Sequence, residues 1–517
     1  MVIKLFRFSY LIRYTISLIC LILLLWGNVP ALAQTQSSAS SSSITPYLNR
    51  AVEQVTEFTL DNGMKFIIME NHDAPVVSFV TYADVGGTDE PDGKTGVAHF
   101  LEHLAFKGTT EIGTSDYEKE KEVLSRLDKI VSDLKTAKET ENQEEINKLT
   151  AAFKEVQVEA ASYVQQNALG RIIETAGGIN LNAQTSPDST VYFYSFPSNK
   201  LELWMSLESE RFLDPVFREF YKEQNIILEE RRLRTENNPI GTMVEAFLDT
   251  AFTEHPYKRP TIGYNQDIRN LTRQDIRDFF NTYYGPNNLT ISIVGDVNPQ
   301  KVQQLAKVYF GRYREKPEPP KVTKVEPEQK ETREVTLKLA SQPWYLKGYH
   351  VPALSHPDNA IYQVISTLLS SGRTSRLYKS LVEEKQVALA AQGFNGFPSN
   401  KYPNLMLFYA QTSPQASLEE VAQDLSLEIE KLKNKPVSEQ ELQRVKNQVR
   451  AGLLRSLDSN LGMGKALVEY EVKTGSWRNL FEQVQAIEAV TPSDIQRVAK
   501  TTFVPENLTI GRILPKS

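Results

Sequence analysis

The sequence predicts an α+β fold made of two duplicated halves, with a helical hairpin inserted in the N-terminal half. Three observations predict it. Residues 271–291 recur as residues 490–510 at a constant offset of 219 positions. A proline-rich, charged stretch separates the two copies, and residues 116–164 carry apolar side chains at helical spacing. Self-similarity at a fixed period indicates a repeated unit, so each copy should belong to one half.

The two copies end alike, which sets the expected domain order. Thr272 and Thr491 each begin a helix, and each helix is followed by a Pro-x-Asn turn and a strand. We expect a first half at residues 51–313 and a second half at residues 333–517. Prolines and charges make the intervening residues 314–332 a semi-rigid, exposed linker.

The N-terminus has the pattern of a secretory signal. Lys4, Arg7 and Arg13 precede the apolar residues 16–26, and Ala-Leu-Ala follows at residues 31–33. We expect residues 1–33 to be a signal peptide cleaved after Ala33, and the Ser-rich residues 34–50 to be a flexible leader. The mature chain would then be periplasmic or extracellular, without stable membrane insertion. The apolar run is short for a membrane span, so an uncleaved anchor is the alternative.

Composition limits the kinds of site and partner. Cys20 is the only cysteine and lies inside the expected signal, so the mature chain would have neither a disulfide nor a thiolate ligand. The net charge is −6, and −9 without the three positive charges of residues 1–33. Nucleic-acid binding is disfavoured by that sign.

Two of the six histidines, His99 and His103, stand four residues apart with Glu102 between them. On a helix these three side chains share one face, so the histidines can bind one zinc ion and Glu102 can act as a general base. The pattern is the inverted form of the His-Glu-x-x-His signature of zinc peptidases. The alternative is an amphipathic helix with two polar-face histidines.

A catalytic zinc needs a third protein ligand, for which a later segment offers candidates. Glu223 and Glu230 are seven residues apart, about two helical turns, and so lie on one helix face. Glu230 could bind the metal, and Glu223 could support a ligand from behind. Residues 229–232, Glu-Glu-Arg-Arg, could equally form a solvated charged face.

Together, these segments resemble the pitrilysin, insulinase and mitochondrial processing peptidase family of inverzincins. The match extends over most of the chain after residue 50: strands at 63–69 and 76–82, the motif at 99–103, Asn-Ala-Gln-Thr at 182–185 and the strand at 190–194. The resemblance implies a clamshell in which His99, His103 and Glu230 bind Zn²⁺. It makes Glu102 the general base and Glu223 an accessory carboxylate, and it places Asn182 and Ala183 on the edge strand that receives the substrate backbone.

One departure from the family pattern is the 127-residue interval between His103 and Glu230, which is longer than the resemblance implies by several tens of residues. Apolar residues spaced by three and four within 116–164 predict two helices, with a turn near residues 138–143. The insert is therefore read as a helical hairpin. Alternating charge favours a solvated strut over a dedicated binding arm.

A second departure lies in the second half, which has no His-x-x-Glu-His. Family members carry an arginine and, seven residues later, a tyrosine that hold the substrate carbonyl. Val382 and Leu389 occupy these positions here, and neither side chain can donate a hydrogen bond. The resemblance then implies a divided enzyme whose paralogous partner carries Arg-x6-Tyr, giving a heterodimer, with a homodimer as the alternative.

The expected activity is that of an exported zinc endopeptidase acting on peptides or unfolded segments. Backbone pairing at the Asn182 edge would give broad sequence tolerance. Two other classes stay open. One is a non-catalytic scaffold subunit of a peptidase complex, and the other is a peptide-binding protein that uses zinc structurally, although a structural site is normally closed by four ligands.

Overall fold

The computed structural model describes residues 45–516, and residues 51–516 belong to one compact unit. The expected signal peptide and residues 34–44 of the expected leader lie outside the described residues. Residues 45–50 are not the flexible leader that the sequence predicts, because they form a helix with residues 51–53. Helices and strands mix in both halves, which confirms the α+β class. No helix within residues 45–516 has the length and apolar character needed to span a membrane.

The first half contains six strands and eleven helices, apart from short 3₁₀ and π segments. In chain order they are α1 Thr45–Glu53, β1 Val55–Thr59, β2 Lys65–Glu70, β3 Val76–Ala83, α2 Val97–Leu104, α3 Tyr117–Glu139, α4 Gln143–Ser162, α5 Ala168–Thr175, β4 Ile179–Thr185, β5 Thr190–Pro197, α6 Leu201–Leu213, α7 Phe220–Arg231, α8 Pro239–Ala251, α9 Asn265–Asn270, α10 Arg273–Tyr283, β6 Leu289–Gly295 and α11 Pro299–Tyr309.

The second half, up to residue 516, contains five strands and six helices. In chain order they are β7 Arg333–Leu339, β8 Trp344–Val351, α12 Asn359–Ser370, β9 Ala388–Phe397, β10 Asn404–Thr412, α13 Leu418–Asn434, α14 Glu439–Leu457, α15 Asn460–Thr474, α16 Asn479–Ala489, α17 Pro492–Thr502 and β11 Leu508–Pro515. A π-helical segment, Tyr378–Glu384, precedes β9.

The two sheets share one topology. Their strand orders are β1-β2-β6-β3-β5-β4 and β7-β11-β8-β10-β9. With β1 set aside, each begins with a parallel pair, β2–β6 or β7–β11, and continues with three antiparallel neighbours. This confirms the duplication, and it makes β4 and β9 the matching edge strands.

The repeated sequence forms the same local structure in both halves. Helices α10 and α17 each begin with a capping box, in which Thr272 pairs with Asp275 and Thr491 with Asp494. The reciprocal hydrogen bonds satisfy amides that the first turn leaves free. Each helix is followed by a 3₁₀ turn and then by a strand, which is β6 in the first half and β11 in the second. Strand β6 runs parallel to β2, and β11 runs parallel to β7.

Each half contributes one helix that packs on the sheet of the other half. Helix α8 packs on β7 and β11, and α15 packs on β3 and β6. Phe247 of α8 is fully buried against Gly348 and Gly511, where an added Cβ would lie 2.8 and 2.9 Å from its ring. Only glycine admits this approach, since real Cβ contacts are longer. The exchange of helices joins the halves of the clamshell.

The insert is a pair of helices, as predicted. Helices α3 and α4 pack along each other and are joined by a short turn at residues 140–142. Asp116 and Asn142 cap them by accepting hydrogen bonds from the amides of Lys119 and Glu145. The polar residues 138–143, which break the apolar spacing, span the end of α3 and the turn.

The linker is not exposed along its whole length, contrary to the sequence prediction, because one of its side chains is buried. Residues 314–332 contain no helix or strand, but the carboxylate of Glu326 accepts hydrogen bonds from the amides of residues 253–255 at 2.9–3.0 Å. Its side chain is only 7% exposed. The linker is therefore docked at this point, because three converging amides hold one carboxylate.

Candidate active site

The residues predicted to bind a metal converge in the structure. His99 and His103 lie on α2 and Glu230 lies on α7, which packs against α2. One donor atom from each lies within 4.8 Å of the other two. The packing of α2 against α7 therefore brings together residues that are 127 positions apart in the sequence.

The distances from Glu230 to the two histidines are close to those between ligands of one zinc ion. Oε2 of Glu230 lies 3.8 Å from Nε2 of His99 and 3.6 Å from Nε2 of His103. Tetrahedral ligands at about 2.0 Å from zinc lie about 3.3 Å apart, so these distances need only a small contraction. Burial lowers the pKa of His99 to about 3, with His103 and Arg234 adding to the effect. The imidazole is therefore neutral, which is the form that binds metals.

The structure separates Glu230 from its neighbour Glu229. The side chain of Glu230 is 18% exposed and faces the histidines, while its other oxygen lies 2.8 Å from Nη1 of Arg234. Glu229 is 54% exposed and pairs with Arg232 instead. Of these two neighbours, Glu230 is the one oriented toward the histidines, whereas Glu229 and Arg232 form the solvated charged face that the sequence left open.

Glu223 lies behind one of the histidines. Its Oε2 accepts a hydrogen bond from Nδ1 of His103 at 3.2 Å, and its Oε1 accepts one from Lys107. Burial alone would raise the pKa of Glu223, but these two donors outweigh it and hold the pKa below its usual value. An anionic partner on Nδ1 fixes the tautomer that presents Nε2 to the metal position.

Glu102 lies beside the cluster but points to a different partner. Thr185, at the end of β4, donates a hydrogen bond from Oγ1 to Oε2 of Glu102. Burial raises the pKa of Glu102, against the hydrogen bond from Thr185. Glu102 is therefore held against the edge strand beside the three donors.

Asn182 and Ala183 lie on the edge strand β4, as the resemblance implies. Oδ1 of Asn182 accepts a hydrogen bond from the amide of Ala183 at 2.9 Å. Both residues line a cleft of about 940 Å³ together with Glu102 and the three donors, and Phe397 and Pro398 of the second half close its far wall. The cleft therefore places an open strand edge next to the metal position.

The second half places Val382 and Leu389 on different elements. Val382 lies in the π-helical segment and packs partly against the second core, while Leu389 lies on β9 and is 52% exposed. The two positions do not share one helix, because the π-helical segment ends at Glu384 and the edge strand β9 begins at Ala388. Neither side chain carries a donor.

Sequence reasoning gave no role to Thr185, Lys107 or Arg234. Strand alternation puts Thr185 on the same face as Ala183, which is a signal that could have marked it. Lys107 follows His103 by four residues, but α2 ends at Leu104, so helical spacing does not predict its contact with Glu223. Arg234 stands four residues after Glu230, the spacing of a helical ion pair.

Two family models of peptidases match most of the chain. The family model described as insulinase (peptidase family M16) matches residues 65–143 and 158–264, and the model described as peptidase M16 inactive domain matches residues 270–449. The first match is interrupted within the hairpin. The second falls largely on the half in which no His-x-x-Glu-His occurs.

Relatives and solved structures extend the similarity over nearly the whole chain. The zinc protease PqqE of Helicobacter pylori is 30% identical over 86% of this chain and 89% of its own. A probable mitochondrial-processing peptidase subunit beta of Arabidopsis thaliana is 23% identical, covering 88% of this chain and 78% of its own. The crystal structure of a protease from Helicobacter pylori superposes with a TM-score of 0.75 at 28% identity, covering 89% of this chain and 99% of that one.

Proposed function

Because the chain belongs to the insulinase family of peptidases (peptidase family M16), we propose that it is a zinc-dependent endopeptidase acting on peptides or unfolded segments. One observation carries the proposal: donor atoms of His99, His103 and Glu230 converge beside Glu102 in an open cleft. Three protein ligands leave a coordination position open, as catalytic zinc sites do.

The chemistry divides between the metal and the chain. Zinc held by the three donors supplies Lewis-acid activation of a water and of the scissile carbonyl. Glu102 accepts a proton from the attacking water on its carboxylate and returns it to the leaving amine. Thr185 keeps the Glu102 carboxylate turned toward β4, and Glu223 keeps the His103 ring in place. Positioning of this kind lowers the barrier without new covalent chemistry.

The edge of β4 supports a substrate bound as an added strand. A peptide pairing with the edge at Asn182 and Ala183 is held through its backbone and so is accepted with broad sequence tolerance. Pairing there carries the scissile bond past Thr185 toward Glu102, because Thr185 ends the strand and contacts that carboxylate.

Thr185→Val should lower kcat about 10-fold or more and change KM little, because it removes a hydrogen bond to a charged group that reacts. Thr185→Ser keeps the hydroxyl and should restore kcat. Steady-state kinetics on a quenched fluorescent peptide measure both. Equal kcat values for the valine variant and the unmodified chain would show that Thr185 does not position Glu102.

Metal removal tests the proposed activity as a whole. Hydrolysis of a quenched fluorescent peptide should stop when the chain is treated with a chelator and return when one equivalent of Zn²⁺ is added, because the metal is part of the reacting centre. Magnesium at the same concentration is the control. Hydrolysis that persists in the metal-free chain would contradict the proposal.

The catalytic site is proposed to be completed by a partner. Val382 and Leu389 occupy the positions at which family members carry the arginine and the tyrosine. One relative is named as a subunit of a processing peptidase. A paralogue carrying Arg-x6-Tyr would supply the missing donors in a heterodimer. A homodimer would not, because the second copy has the same two apolar residues.

A second candidate function is a non-catalytic scaffold or peptide-binding subunit. The family model that matches residues 270–449 is described as an inactive domain, and this description favours the second candidate. The three metal donors favour the first candidate. They lie on α2 and α7 of the N-terminal half, and they line an open cleft together with Glu102.

We also propose that the chain is exported to the periplasm or the extracellular space. The basic, apolar and small-residue segments of residues 1–33 support a signal peptide cleaved after Ala33. Mass spectrometry of the native chain should find Gln34 at the N-terminus. Intact residues 1–33 in a membrane fraction would instead identify a signal anchor.

A further inference from the structure

A buried ion pair fixes the base of the hairpin to the loops next to the catalytic helices α2 and α7. Arg218 is fully buried and donates to both carboxylate oxygens of Glu120 on α3, at 2.8 and 3.2 Å. Its remaining donors reach the carbonyls of Lys107, Thr109 and Ile112, in the loop that follows α2. A buried charge pair is stable only when its remaining hydrogen bonds are made, as they are here. The first turn of α3 therefore cannot move independently of the loop after α2.

Two further contacts hold the lower part of the hairpin against the body. Arg273 on α10 donates from Nε and Nη2 to Asp128 on α3. Phe153 on α4 packs edge-to-face on Tyr221 of α7, with ring centroids 5.2 Å apart. The lower part of the hairpin is thus packed against the body, whereas a solvated strut would touch the body only at its ends.

An apolar pocket of about 290 Å³ lies between the hairpin and α7. Its apolar wall is formed chiefly by Leu124, Leu127, Val158, Ala161, Phe220 and Tyr221. Val158 is 73% exposed on its rim. The charged groups around it are paired with one another: Arg218 with Glu120, Arg273 with Asp128 and Lys222 with Glu219. The pocket thus offers apolar surface and no uncompensated charge.

This pocket adjoins a cavity beside the active site. Val164 and Glu219 line it and also line a neighbouring cavity of about 370 Å³ that contains Glu102 and His103. Helix α7 spans both, with Glu230 at the metal position and Tyr221 in the apolar pocket. Nine residues of helix correspond to about 14 Å. An extended peptide covers that distance in about four residues.

We propose that the pocket between the hairpin and α7 is a substrate subsite that receives one apolar side chain, about four residues from the scissile bond. The inference rests on the proposed peptidase function. A peptide added to β4 and passing Glu102 enters the neighbouring cavity, which adjoins the apolar pocket at Val164 and Glu219. A large aliphatic or aromatic side chain fits because the pocket presents apolar groups and its charges are already paired. The inserted hairpin then selects substrates by residues distant from the cleaved bond.

The test compares Ala161→Trp, which fills the pocket, with Ala151→Trp, which adds the same side chain to an exposed position of α4 outside it. Two sets of quenched fluorescent peptides are used. A short one extends about two residues on either side of the cleaved bond. Longer ones carry Leu or Ser at the third, fourth or fifth residue on one side or the other. The chain is assayed full-length, in its active assembly.

We expect the unmodified chain to prefer Leu over Ser about 10-fold or more in kcat/KM at one distant position. Ala161→Trp should abolish that preference, Ala151→Trp should keep it, and all three should cleave the short peptide equally. A preference that is absent, or that survives Ala161→Trp, overturns the subsite while leaving the peptidase intact. No cleavage of the short peptide overturns the proposed function and the subsite with it. A change in the mass of the assembly caused by Ala161→Trp, with unchanged selectivity, would assign the pocket to a protein partner and overturn the subsite.

Discussion

Glu102→Gln should reduce peptide hydrolysis by about 10²-fold or more while the chain keeps about one zinc ion. Glutamine has the same shape and can still accept the hydrogen bond from Thr185, but its amide cannot take up a proton. Glu102 is not among the converging donors, so the metal should stay bound. Turnover of a quenched fluorescent peptide and metal analysis of the same preparation measure the two effects.

The matched control is Glu122→Gln on α3, an exposed carboxylate remote from the cleft lining. It should leave both turnover and zinc content unchanged. Zinc loss from Glu102→Gln with turnover intact would reverse the assignment and make Glu102 a ligand. Normal turnover with zinc retained would show that another group transfers the proton.

The purified chain alone should bind zinc yet hydrolyse peptides slowly, and a partner carrying Arg-x6-Tyr should raise the rate by about 10²–10³. The physical reason is the missing pair of donors for the substrate carbonyl, since Val382 and Leu389 provide none. A donor placed where charge develops acts mainly on kcat. The measurement is turnover by the lone chain, confirmed to contain zinc, with and without the co-expressed partner.

A partner variant in which Arg and Tyr are replaced by Val and Leu is the control for this experiment. It should assemble with the chain without raising the rate. Full activity from the lone chain, unchanged by any partner, would mean that other residues contact the carbonyl. The first residues to substitute would then be Arg373 and Arg376, which precede the π-helical segment, and Tyr378, which begins it.

The sequence was sufficient for the parts of the site that depend on local spacing. His99, Glu102 and His103 share a helix face because a helix repeats every 3.6 residues, and the same rule pairs Glu223 with Glu230. The duplicated capping boxes and strands were visible because the repeat keeps its turn chemistry. These features depend on neighbours in the chain, which a single sequence displays directly.

Contacts that depend on packing between distant segments could not be predicted in the same way. Nothing near Arg218 or Glu120 in the sequence marks them as partners, since 98 residues separate them. The packing of α8 and α15 on the sheet of the opposite half depends on contacts between segments that are far apart in the sequence. The break between Val382 and Leu389 depends on the pairing of β9 with β10. Tertiary packing decides each of these.

The zinc content of Glu230→Gln and Glu229→Gln tests the central claim most directly. Both variants change one carboxylate on the same turn of α7, but only Glu230 faces His99 and His103. The predicted result is that Glu230→Gln loses most of its zinc, whereas Glu229→Gln keeps about one ion per chain. Zinc lost from Glu229→Gln and kept by Glu230→Gln would contradict the assigned metal centre.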